Sequence, residues 1–149
     1  MQKVLQKQAA LGALNAASRI ERVEMMRQGV PAALLTLLSE EMEISREKLY
    51  ATIGMSRATA DRKVKAQRLL SSSESERALG MAQLVGQVQE IVRQSGDSER
   101  FSAARWVADW LDRPHPALGG RRPGALMDTA EGRGLVSDLV AQMQSGAYA

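Results

Sequence analysis

Apolar residues in this chain recur at intervals of three and four and almost nowhere at intervals of two. Leu34, Leu35, Leu37 and Leu38 form one such face, Met81, Leu84, Val85, Val88, Ile91 and Val92 a second, and Leu135, Val136, Leu139, Val140 and Met143 a third. β-Branched residues are scattered, while Ala, Leu, Met, Gln, Glu and Arg dominate. The pattern predicts an all-α fold.

Breaks in the pattern divide the chain. Gly29 ends a first segment, and Val30 and Pro31 open a helix with proline in its first turn. A short helix is expected from Ser45 to about Thr52, then a break at Gly54, then a helix capped by Ser56 and running to about Leu69. After the tract Ser71, Ser72, Ser73, a capping box of Ser73 with Glu76 is predicted to start a long helix ending near Arg93. Gly96 ends it and Asp97 is expected to cap the next element, which carries Phe101, Trp106, Val107, Trp110 and Leu111. A loop of unlike composition follows, from Asp112 to Pro123, and Thr129 caps a last helix closed by Gly146. Three regions result: a helical region at 1–69, a central helix at 70–96 and a C-terminal region at 97–149. The apolar stripe of the central helix has to be covered, either by its own subunit or by a second copy. In the second case Met81, Leu84, Val85, Val88 and Ile91 form a dimer seam.

Composition narrows the function classes. The 149 residues are 44% hydrophobic and 25% charged, with no Cys and one His, which excludes disulfides and Cys-ligated metal and leaves too few imidazoles for an ordinary zinc site. No metal or cofactor is expected. No run of eighteen apolar residues and no signal-like N-terminus is present, so the expected location is cytoplasmic. Five aromatic residues are too few for a base-stacking platform. Nothing resembles a catalytic triad, a carboxylate pair or a phosphate-binding glycine loop, so no enzyme is expected.

Charge is uneven in one place. Between Ser56 and Arg68, five basic residues (Arg57, Arg62, Lys63, Lys65, Arg68) stand against Asp61, giving a local +4, directly after the acidic stretch Glu40 to Glu47. Such a run can be merely a solvated face. A helix of about eight residues, a glycine turn and a Ser-capped basic helix nevertheless make a helix-turn-helix, whose second helix enters the major groove of DNA. Ser56, Arg57, Thr59, Arg62, Lys63 and Lys65 are then the DNA-binding candidates: Arg57 and Arg62 for guanine, Thr59 for a base edge or phosphate, and the lysines for phosphates. Tyr50 stands where such motifs usually have a small residue and Lys63 where they usually have an aliphatic one, so the unit is a variant.

The last third is the most specific. Trp110-Leu111, Pro114, Pro116, Ala117-Leu118-Gly119-Gly120-Arg121-Arg122-Pro123, Thr129, Gly132, Val136, Gly146 and Tyr148 together resemble the C-terminal domain of Xre/MbcA/ParS-type antitoxins, the partners of RES-domain toxins. The resemblance extends from about Val30 to Ala149, because that family also has an Xre-like helix-turn-helix followed by a Leu-Ser and Ser-Glu-rich segment, here Leu70 to Arg77. It implies an N-terminal Xre/Cro-like domain, a dimer and a helical toxin-binding domain. The implied partners are a RES-domain toxin and operator DNA, with the antitoxin covering the NAD site of its toxin and repressing its own operon.

Carried over to this chain, toxin-binding falls on Trp110, Leu118, Gly119, Gly120, Arg121, Arg122, Thr129, Gly132, Arg133, Tyr148 and Ala149. Each residue also has a plain structural explanation: prolines stiffen a loop, glycines permit positive φ, and Trp110 belongs to an apolar face. His115 reads as a solvated loop residue. The tail offers an aromatic ring and a carboxylate as a mimic of NAD, or else a frayed terminus. Two other classes fit the residues less fully: a helix-turn-helix regulator with a ligand-sensing C-terminal domain, and an interaction module without a DNA role.

Overall fold

A computed structural model describes Leu11, residues 14–96 and residues 100–145. Its helices are α1 (Arg19–Gln28), α2 (Ala33–Met42), α3 (Arg46–Ile53), α4 (Arg57–Lys65), α5 (Ser72–Gln94), α6 (Ala103–Leu111) and α7 (Ala130–Ser145), with two 3₁₀ turns, Pro116–Leu118 and Pro123–Leu126, between the last two. The fold is all-α, without a strand among the described residues. Local chemistry starts most helices: Ser18, Ser45, Ser56, Ser71 and Ser102 each accept a hydrogen bond from the backbone three residues on.

Several boundaries depart from expectation, each through a distant partner. Pro31 lies outside α2. It forms an antiparallel bridge with Leu69, flanked by bonds from Ala32 N–H to the Arg68 carbonyl (2.9 Å) and from Leu70 N–H to the Val30 carbonyl (2.8 Å). The same pairing stops α4 at Lys65, four residues early, with Gln67 in the left-handed region (φ 54°). The capping box of α5 is Ser71 with Glu74, because Glu76 is taken by Arg133 and Ser75 Oγ, fully buried, accepts the Val30 N–H at 2.9 Å. Ser102 caps α6, while Asp97 lies outside the described residues.

Helix α5 is the axis of the molecule, packed by α1, α2, α3, α6 and α7, and a single hydrophobic cluster runs from Leu35, Leu38 and Leu49 through Met81 and Val85 to Val107 and Val136. This corrects the reading of its stripe as a seam between copies. Met81, Leu84, Val85 and Val88 are all buried within one chain and Ile91 is half-buried, so a second copy would find them already covered. Part of that cover comes from the segment before α2: Leu11, Leu14, Met25 and Met26 join the cluster, and Asn15 Nδ2 donates to the Gly86 carbonyl at 3.3 Å. On α7, Val136, Leu139 and Val140 point inward, but Leu135 is exposed. No described helix is long and apolar enough to cross a membrane.

Candidate functional site

Helices α2, α3 and α4 form the helix-turn-helix. Ser45 caps α3, Gly54 ends it in the left-handed conformation (φ 75°), and Ser56 caps α4. Tyr50 now has a reason. Its ring is buried between the two helices, and its hydroxyl donates to Asp61 Oδ1 at 3.0 Å, locking α3 to α4. Burial, reinforced by the Asp61 carboxylate, pushes the phenol up to about 12.

The basic residues of α4 do not share one environment. Arg57 bonds to Glu47 at 3.0 Å and approaches Asp61 at 3.7 Å, while Arg46 stands 4.0 Å from Asp61. Lys63 is turned inward onto Glu74 at 2.5 Å, which removes it from the phosphate contacts expected of it. Burial pushes the Glu74 carboxyl up, but hydrogen bonds from Lys63 and Ser71 outweigh that and hold it below the usual carboxylate range. Ser56 is occupied as a cap and Thr59 is half-buried. Arg62 and Lys65 are exposed, as is Arg68 just beyond the helix.

At the other site the loop after α6 is built on buried side chains. Trp110 is 8% exposed and stacks on Trp106, ring centroids 5.7 Å apart at 12°. His115, expected in solvent, is also buried, in a T-shaped contact with Trp110 (centroids 6.1 Å apart) and with its Nδ1 accepting the Ala117 N–H at 3.2 Å. Its own N–H and carbonyl bind the Arg121 carbonyl and the Gly120 N–H, each at 3.0 Å, closing the loop on itself. That closure puts Gly119 and Gly120 at φ 66° and 83°, where a side chain would be strained. Leu118 and Pro123 are buried anchors, and between them Gly119, Gly120, Arg121 and Arg122 stand exposed.

Arg133 is scaffold as well. Its side chain is 11% exposed and donates to the Met127 carbonyl and to Glu76, each at 3.1 Å, and burial pushes its guanidinium down. Thr129 caps α7 by accepting the Gly132 N–H at 2.9 Å and remains exposed. Gly132 allows close approach to the Leu126 carbonyl, from which an added Cβ would lie 1.8 Å. Of the expected toxin contacts, then, Trp110 and Leu118 are buried, Gly132 and Arg133 are half-buried, and Gly119, Gly120, Arg121, Arg122 and Thr129 are exposed. Tyr148 and Ala149 lie outside the described residues. Helix α7, whose 16 residues span about 24 Å, follows the loop after the Pro123–Leu126 turn.

Both sites are joined to each other. Arg77, missed in the sequence, donates to the Ile53 carbonyl at the end of α3 (2.9 Å) and to the Asp128 carbonyl. Lys48 of α3 pairs with Asp112, and Arg105 of α6 reaches Glu43 at 3.6 Å. Among the described residues no cluster of three or more acidic or histidine side chains is placed to hold a metal.

An all-helical protein with a helix-turn-helix and a stapled, arginine-tipped C-terminal loop is the class this geometry defines. Residues 21–83 match the antitoxin Xre-like helix-turn-helix domain, and residues 96–146 match the antitoxin Xre/MbcA/ParS C-terminal toxin-binding domain. The Prs ADP-ribosylating antitoxin of Sphingobium sp. (strain YBL2) is 39% identical over 140 residues, which are 94% of this chain and 88% of that protein. The chain belongs to the Xre/MbcA/ParS antitoxins, a family of antitoxins and not of enzymes.

Proposed function

We propose that the toxin neutralised by this chain is a RES-domain protein that consumes NAD, and that neutralisation works by covering its NAD site. The observation that carries this is the Gly119 to Arg122 loop, held rigid by Trp110, His115 and Leu118, with Arg122 exposed and the Arg121 guanidinium, also exposed, steadied by donating to the Leu118 carbonyl at 3.1 Å. Rigid presentation of arginine lowers the entropic cost of binding, and arginine is among the residues that anchor interfaces. The name of the Sphingobium relative supports the choice of toxin: ADP-ribosylation draws its ADP-ribose from NAD. The loop and the segment after α7, which in sequence flank that 16-residue helix, take different tasks. Arg121 and Arg122 grip the toxin outside its pocket, and the segment carrying Tyr148 supplies the ring that enters it. The helix-turn-helix binds the operator of the same operon.

Co-expression with the neighbouring open reading frame, purification and an NAD-consumption assay test this. The expected result is a complex silent toward NAD. Removal of Tyr148 and Ala149 should restore consumption while the complex persists, and Arg121→Glu with Arg122→Glu should dissociate it. No co-purifying partner, or a partner that leaves NAD untouched when alone, overturns the proposal.

A further inference from the structure

Opposite charges compensate the N-terminal end of the basic helix, whereas toward its C-terminal end Arg62 and Lys65 form no ion pair with any described residue. At the N-terminal end of α4, two guanidiniums (Arg46, Arg57) face two carboxylates (Glu47, Asp61), so a phosphate brought there meets acidic groups as soon as it meets basic ones. Lys63 is spent on Glu74. Arg62 and Lys65 are exposed on one face of α4 and form no ion pair with any described residue. Ala58, one turn before Arg62 on the same face, is exposed and small, so the backbone there can come close to a groove. Just past the helix, the left-handed Gln67 turns the chain, and Arg68 is fixed by its N–H to the Lys63 carbonyl and its carbonyl to Ala32 N–H, both at 2.9 Å. Its side chain is exposed and shares a groove with Thr36, Gln67 and Glu40.

From this arrangement we infer that duplex DNA is gripped by the C-terminal half of α4 and the turn after it, through Arg62, Lys65 and Arg68. Arg57 positions the helix and does not read bases. This departs from docking in which the N-terminal residues of the second helix reach base edges. It rests on the operator-binding reading above and assigns the residues that carry it.

Counterion release makes the count of contacts measurable. Three phosphate-neutralising cations give a slope of log K against log salt of about −2.7 per bound chain, whereas adding Arg57 and Lys63 would give about −4.5. Fluorescence anisotropy of the full chain with a duplex from upstream of its own gene, between roughly 50 and 200 mM salt, reads this slope. Arg62→Ala, Lys65→Ala and Arg68→Ala should each make it shallower by about 0.9 if the side chain meets a phosphate. If Arg62 instead reads a base, Arg62→Ala should cost roughly ten- to hundredfold in operator affinity with little loss on scrambled duplex. Arg57→Gln and Lys63→Met should leave the slope unchanged, and since the slope reads only folded, binding molecules, lost stability does not imitate a lost contact. A slope near −4.5, or a shallower slope for Arg57→Gln, overturns the inference while the operator reading survives. No binding by the unaltered chain at any salt overturns both.

Discussion

Replacing Tyr50 by Phe removes one hydroxyl from the seam between α3 and α4 and tests how that seam is held. The hydroxyl donates to Asp61 at 3.0 Å from a ring that is 1% exposed. A buried hydrogen bond to a charged group contributes about 1.5–3 kcal/mol, but the Asp61 side chain is 37% exposed and water recovers part of the loss, so about 1 kcal/mol is expected at pH 7. Alkali supplies a second, opposite effect. The phenol titrates at about 12 in the folded chain against 10.0 unfolded, so the neutral form is favoured by folding. Stability from this group is complete below pH 10 and lost as pH rises toward 12, amounting to about 1.4 kcal/mol by pH 11. Phe cannot ionise and shows no such loss. Urea unfolding followed by tryptophan fluorescence should therefore find the parent more stable at pH 7 and the two curves meeting at about pH 11. Curves that stay parallel across this range would refute the role given to Tyr50.

Three further outcomes follow from contacts already described. Gly132→Ala should cost about 3 kcal/mol, because its Cβ would lie 1.8 Å from the Leu126 carbonyl, while Gly134→Ala, which meets open space, should stabilise by about 0.5–1 kcal/mol; thermal melts of the pair check both. Arg133→Met should cost about 2 kcal/mol by leaving the Met127 carbonyl without its donor, and hydrogen exchange should show α7 loosening first. Glu74 titrates below 4.5, so the stability it contributes is present above that pH and is lost as pH falls through its folded value; Lys63→Met should shrink this acid loss, as read from unfolding at pH 7 and pH 4.

Caps with a single solution were legible in the sequence. Gly54, Ser56 and Thr129 act where their local pattern puts them, since each serves a backbone group at most a few residues away. Ser73 with Glu76 fails for a definite reason. Ser71 with Glu74 has the same spacing, and the choice between the two registers is made by Arg133, Lys63 and Val30, none of them near in sequence. The bridge between Pro31 and Leu69 and the burial of the α5 stripe have the same origin: periodicity says that a face must be covered and not by what. At the candidate site the residue types were visible but not their employment. Arg57 and Arg62 read alike along the chain, and only Glu47 and Asp61 separate them.

The single cluster around α5 has a further consequence. Helix α5 lends one side to the helix-turn-helix and another to α6 and α7, with Arg77 fastening both at its start. A cut between residues 94 and 103 would leave α5 with the helix-turn-helix and part it from α6 and α7, so the C-terminal fragment would lose its lining and the N-terminal one would bare the far face of α5. A protease that nicks the chain once at this link would strike the C-terminal surface first, because α6 and α7 take no lining of their own with them, whereas the helix-turn-helix keeps the helix it leans on.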